Sequence, residues 1–128
     1  MQCPCTPTQL YENCCKKAHL DITNVETAEQ LMRSRYSAFV LANMDYLYKS
    51  HYSKTRPKKR ERNEIEKWTN SVHWIKLSVL DIDKGTKTDD TGIVEFKAYY
   101  MEDSSIIILH ETSNFCKENG HWVYVDGN

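Results

Sequence analysis

The chain has 128 residues, 40% of them hydrophobic and 27% charged, with a formal net charge of −1; that length suits one domain with one core, because folding at this size buries roughly two thirds of the unfolded surface. A balance so near neutrality excludes a global field that would draw the protein to nucleic acid or lipid, so any such partner needs a local patch. No run of about 18 apolar residues is present, which excludes a membrane-spanning helix, and the opening Met1-Gln2-Cys3-Pro4-Cys5 lacks the features of a signal peptide, so a cytoplasmic location is expected.

Four of the five cysteines fall within the first fifteen residues, as Cys3-Pro4-Cys5, eight further residues, and Cys14-Cys15. In a reducing compartment such a cluster reads as metal ligation rather than as a disulfide framework. Tetrahedral Zn²⁺ takes four thiolates at about 2.3 Å each. Pro4 restricts the backbone between the first pair, and the intervening segment is long enough to fold back once and deliver the second. Cys3, Cys5, Cys14 and Cys15 are therefore the candidate ligands of a structural Zn²⁺, with Lys16 and Lys17 placed to offset the negative charge of the site. His19, four residues beyond Cys15, is the alternative fourth ligand. Residues 1–22 read as this knuckle and a connector, and residues 23–128 as the remaining unit.

Residues 23–50 carry Leu31, Tyr36, Phe39, Val40, Met44 and Leu47 at helical spacing. Thr23 or Asn24 is the expected cap. Asn43 and Asp45 interrupt the pattern, which predicts two helical pieces with a turn near Ala42–Met44 and Tyr46 to Tyr48 opening the second. A basic connector spans 53–60, and a short helix over 61–70 carries Ile65 and Trp68. From Val72 the period changes to 2. His73, Ile75, Leu77 and Val79 alternate with Trp74, Lys76, Ser78 and Leu80. Residues 84–92 form a turn-rich loop, and 93–101 a strand with Val94, Phe96, Ala98 and Tyr100 on one face. Residues 105–116 and 121–126 are strands joined by a hairpin at Glu118-Asn119-Gly120. Helices followed by four hairpin-linked strands make an α+β domain with an antiparallel sheet.

The Cys-x-Cys, eight residues, Cys-Cys pattern with Tyr11 resembles the SEC-C zinc motif, although the motif's usual Gly-Ser-Gly-Lys stretch is replaced here by Thr6-Pro7-Thr8-Gln9. The helix segment 28–39, Leu109-His110-Glu111-x-Ser113-x-Phe115, and Gly120-x-Trp122-x-Tyr124-Val125-Asp126-Gly127 are similar to stretches of the YchJ-like family of bacterial proteins. Thr112 and Asn114 stand where that family usually carries arginine. The resemblance implies a nuclear-transport-factor-2-like (NTF2-like, also called cystatin-like) cone of helices on a curved four-stranded antiparallel sheet.

A cone of this kind would have an open end. Arg33, Tyr36, Trp74, Tyr99, His110, Trp122 and Asp126 are the candidate lining of a pocket there. A His110–Asp126 pair would supply acid–base chemistry, and a buried arginine of the Arg33/Arg35 pair would need Glu111 or Asp126 as partner. Lys54, Arg56, Lys58, Lys59, Arg60 and Arg62 form a basic run that reads either as a solvated loop and helix start or as a phosphate contact. Two functions follow: a zinc-binding accessory protein that binds a protein or ribonucleoprotein partner, or a small-molecule binder or enzyme using the cone.

Overall fold

The computed structural model describes residues 1–128. Its central element is helix α2 (Ala28–Val40), which starts where the Thr27 hydroxyl accepts a hydrogen bond from the Gln30 N–H at 3.1 Å. The cap is thus Thr27 rather than Thr23 or Asn24. Those two lie in a 3₁₀ turn (Ile22–Asn24), where the Asp21 carboxylate takes the Thr23 N–H. Helix α2 ends before Ala42, whose φ of 54° lies in the left-handed region. The Asn43 side chain then accepts from the Tyr46 N–H and starts α3 (Met44–Lys49). The expected break is present, and the second piece opens two residues earlier than expected. Helix α4 (Lys59–Ser71) begins where Glu61 accepts the Lys58 N–H.

At the amino end, β1 (Gln2–Cys3) pairs antiparallel with β2 (Thr6–Leu10), and a 3₁₀ turn (Tyr11–Asn13) leads into α1 (Cys15–Leu20). The main sheet comprises β3 (His73–Lys84), β4 (Thr91–Glu102), β5 (Ser105–Glu118) and β6 (His121–Gly127), all antiparallel and in sequence order. Strand β4 buries Val94, Phe96, Ala98 and Tyr100 on its inner face, as its alternation predicts. Asn119 and Gly120, at φ 54° and 83°, make the tight β5–β6 turn.

Strand β3 departs from the expected strict alternation. Its register shifts between Trp74 and Lys76 and again between Val79 and Asp81. Ile75 and Leu80 are left without a partner and stay exposed. Trp74, Leu77 and Val79 then sit opposite Tyr100, Ala98 and Phe96. Such bulges bend a strand and strengthen its twist, so two of them help curve this sheet around α2.

The core joins Leu31, Tyr36 and Ala38 of α2 to Val94, Phe96, Phe115 and Trp122 of the sheet. Cys3, Cys5, Cys15, Ala18 and Ile22 belong to the same buried cluster. Burying each large apolar side chain contributes about 1.5–3 kcal/mol. The Trp122 indole N–H donates to the Glu26 carbonyl at 3.0 Å and ties β6 to the start of α2. The Ala28 N–H donates to the Gly85 carbonyl at 3.0 Å, and a Cβ at Gly85 would lie 2.6 Å from that of Ala28.

Gly85, at φ 75°, thus needs both its backbone freedom and its missing side chain. Gly85→Ala is expected to cost more than about 2 kcal/mol in urea unfolding, from left-handed strain plus a clash. Gly120→Ala, with φ 83° but open space around it, should cost only about 1 kcal/mol.

Candidate metal centre and cavity

The β1–β2 turn carries Cys3, Pro4 and Cys5, and the junction between the Tyr11–Asn13 turn and α1 carries Cys14 and Cys15. The four sulfurs all lie within 4.8 Å of one another. Cys3 Sγ and Cys5 Sγ are 3.7 Å apart, and Cys5 Sγ and Cys14 Sγ 3.6 Å. A tetrahedron with metal–sulfur bonds of about 2.3 Å has edges of about 3.8 Å, so the spacing suits one metal ion. All five cysteines are free thiols.

Three of the thiols, Cys5, Cys14 and Cys15, perturb one another's proton affinity. Cys5 is pulled down to about 6, chiefly because the Cys15 thiol donates to its sulfur, with Cys14, Cys3 and Arg33 adding to the effect against the cost of burial. Cys14 is pushed up to about 12 by burial and then by Cys5. Cys15 is pushed up by Cys5 and then by burial. Cys5 is thus favoured as the thiolate, while Cys14 and Cys15 resist losing their protons. A divalent cation removes that resistance, since ligating thiols are deprotonated.

Helix α2 braces the cluster. Cys3 Sγ lies 3.7 Å from Ser37 Oγ. Arg33 donates from Nη1 to the Cys5 carbonyl at 3.2 Å and from Nε to Glu29 Oε2 at 2.8 Å. Arg33 therefore serves the knuckle and not the pocket for which it was a candidate. His19 is not aimed at the sulfurs: Tyr11 Oη lies 2.7 Å from its Nδ1, and its Nε2 lies 2.8 Å from the Ser34 carbonyl. The carbonyl can only accept, so Nε2 carries the proton and Nδ1 accepts from Tyr11. Both ring nitrogens are engaged, which favours Cys15 over His19 as the fourth ligand.

A cavity of about 200 Å³ does open between α2, α4 and the sheet, but its lining differs from the expected one. Tyr36 and Trp74 line it. Arg35 lines it in place of Arg33, and Glu111 in place of His110. His110 lies on the outer face of β5, 2.6 Å from Glu95, because residues 109, 111 and 113 face inward in this register. Tyr99 is likewise on the outer face, under the Lys76 ammonium. Asp126 is exposed and accepts from Asn114 Nδ2 at 2.8 Å, so no His110–Asp126 pair exists. Trp122 is buried in the core rather than at the cavity wall.

The basic run is divided in use. Arg56 donates to the Tyr48 and His51 carbonyls, Arg62 donates to the Pro57 carbonyl, and both guanidinium groups stack over the Tyr48 ring. Lys54, Lys58, Lys59 and Arg60 remain exposed. His51, next to this cluster, is pushed down to about 4 by burial and then by Arg35 and Arg56.

Three outcomes follow. His19→Ala should leave metal content unchanged while lowering stability by about 1–3 kcal/mol, since the Ser34 carbonyl loses its donor; Cys14→Ser should lower metal content as measured by elemental analysis. The depressed His51 means that the unfolded chain binds a proton near pH 6.5 while the folded chain resists one until about pH 4. Stability is therefore full above pH 6.5 and lost as pH falls through that window, and His51→Gln should shrink the fall in urea midpoint between pH 7 and 5.

Comparison with known proteins agrees with this architecture. The family described as "YchJ, middle NTF2-like domain" matches residues 27–127. A UPF0225 protein of Vibrio parahaemolyticus is 42% identical over 125 residues, covering 98% of this chain and 73% of the relative. One from Streptomyces coelicolor is 39% identical, covering 98% and 93%. The solution structure of a SEC-C motif containing protein from Rhodopseudomonas palustris superposes with a TM-score of 0.82 at 28% identity, covering 100% of this chain and 98% of that one. A crystal structure of another, from Psychrobacter arcticus, gives 0.79 at 30% identity, covering 98% and 81%. A four-cysteine knuckle leading into a helix-on-sheet cone thus places the chain in the YchJ-like family, with a SEC-C motif followed by an NTF2-like domain.

Proposed function

We propose that the four cysteines hold one Zn²⁺ as a closed structural site, and that the protein is an accessory binding module whose zinc-braced hairpin docks a protein partner. The observation that carries the first half is the convergence of Cys3, Cys5, Cys14 and Cys15 within 4.8 Å. Soft thiolates in tetrahedral array select zinc or iron–sulfur centres over harder cations, and the likeness to the SEC-C zinc motif favours zinc. Bound zinc supplies folding free energy, of the order of 10 kcal/mol in small zinc-finger peptides. With four protein ligands it keeps no open position for a substrate. Arg33 offsets part of the charge of the four thiolates. Free thiols of this kind suit a reducing compartment such as the cytoplasm. No helix is long and apolar enough to cross a membrane.

The hairpin turns its ligands inward and its other side chains outward. Residues 7–10 are exposed, Leu10 by 51%, and Met1 beside it by 62%, with the Tyr11 N–H donating to the Met1 carbonyl. Met1 and Leu10, exposed side by side at the open end of the hairpin, offer an apolar contact to a protein partner. A ribonucleoprotein partner at the basic run is less favoured, because Arg56 and Arg62 are already engaged within the fold.

Purified protein is expected to carry about one zinc per chain, and Cys5→Ser to lose it. On the partner, Leu10→Asp should abolish capture of the bound protein from a bacterial lysate while His110→Ala leaves it intact. Loss on charge reversal of Lys58, Lys59 and Arg60 instead would move the interface to the basic run.

A further inference from the structure

The cavity between α2 and the sheet is distinct from the zinc site and carries its own chemistry. Aromatic rings form most of its wall, among them Tyr36, Phe39, Trp68, Trp74 and Phe115. Its volume is about 200 Å³. An engineered apolar cavity of about 150 Å³ holds a benzene molecule, so this one has room for a single substituted ring. Leu109 faces inward opposite Ala98 and is still 40% exposed, which puts the mouth of the cavity at that end of the sheet.

Three polar side chains on this wall keep hydrogen-bonding capacity that no protein group fills, one of them, Trp74, through a fully buried atom. The Trp74 indole N–H is fully buried and has no hydrogen-bond acceptor. Arg35 is only 9% exposed, yet both of its hydrogen bonds leave from Nη1, to the Leu47 carbonyl at 2.9 Å and Ser50 Oγ at 2.7 Å. Its Nε and Nη2 are left free, and no carboxylate lies within 4 Å to neutralise it. Its face rests on the Tyr124 ring, 4.7 Å from the centroid. Burial lowers the guanidinium to about 10, so it remains a cation at neutral pH. Glu111 receives the Ser113 hydroxyl on Oε2 at 2.6 Å and has the Tyr124 hydroxyl as a second neighbour, which leaves the carboxylate with lone pairs to spare.

A buried donor without an acceptor, as the Trp74 N–H is, destabilises the empty cavity. A guest that offers an acceptor to Trp74 and Arg35 and a donor to Glu111 would satisfy the first and use the open capacity of the other two. Arg35 and Glu111 line the cavity with opposite formal charges, so a neutral guest fits better than an anion or a cation. We propose that this cavity binds a small neutral aromatic molecule bearing a carboxamide-type edge, with its carbonyl toward Arg35 and Trp74, its N–H toward Glu111 and its ring among the aromatic side chains.

The test uses the full-length zinc-loaded protein and four probes of one size: benzamide, acetophenone, benzoate and toluene. Tryptophan fluorescence reports binding, since Trp68 and Trp74 line the cavity, and ligand-observed NMR confirms it. Benzamide is expected to bind saturably and about tenfold more tightly than acetophenone, benzoate or toluene. Glu111→Leu should remove its advantage over acetophenone. Trp74→Phe, which keeps a ring but removes the N–H, should weaken benzamide and acetophenone alike and leave toluene unchanged. Arg35→Lys would add to this only if its circular dichroism matches wild type, and Trp74→Phe decides the matter if it does not. No saturable binding by any probe, toluene binding as tightly as benzamide, or benzoate binding more tightly than benzamide would each overturn the proposal.

Discussion

The structure depends on helix α2 being used from two sides. One side meets the cysteine cluster: Arg33 holds the Cys5 carbonyl, Ser37 lies against Cys3, and the Ser34 carbonyl receives His19. The other side meets the cavity through Met32, Arg35, Tyr36 and Phe39. The spacing of each set follows the three- and four-residue steps by which a helix presents a face. A segment of 22 residues with few apolar side chains has little core of its own, so its order rests on the sulfurs closing and on this one helix receiving them. The Ser34 hydroxyl extends the contact, 2.6 Å from Tyr46 Oη on α3. The knuckle is in this way part of the core and not an appendage to it.

The sheet answers the same helix from the opposite direction. Bulges at Ile75 and Leu80 bend β3, while the close meeting of Gly85, Gly92 and Ala28 lets the β3–β4 hairpin touch the start of α2. The Trp122 indole closes the other edge onto Glu26. Between these two attachments the sheet stands away from the far end of the helix, and the cavity occupies that space. Its polar groups come from α2, β3 and β5, so no single element determines its chemistry.

Much of this was legible in residue spacing. Four cysteines separated by one, eight and no residues have few uses where thiols stay reduced, and Asn43 marks the break between α2 and α3. The Val94, Phe96, Ala98, Tyr100 alternation and the Asn119-Gly120 turn each have one ready physical meaning. What was not legible depended on rotational phase or strand register. Arg33 and Arg35 are two residues apart and point to different faces; only packing decides which meets the knuckle and which the cavity. On β5 the pairing of Ala98 with Leu109 and Phe96 with Glu111 sends His110 outward. The parity of β4 alone already argued against Tyr99, since its neighbours Ala98 and Tyr100 face inward. The bulges of β3 left no mark in composition, because Ile75 and Leu80 are ordinary strand residues. Arg56 and Arg62 look like free cations in a linear reading, and the Tyr48 ring that receives them lies outside the run.

The central claim is that four sulfurs and no nitrogen surround one zinc ion against helix α2. X-ray absorption at the zinc edge of purified protein tests it most directly. The account predicts a single shell of four sulfurs at about 2.3 Å. A shell containing a nitrogen at about 2.0 Å, or an absorption edge belonging to iron in place of zinc, would contradict it.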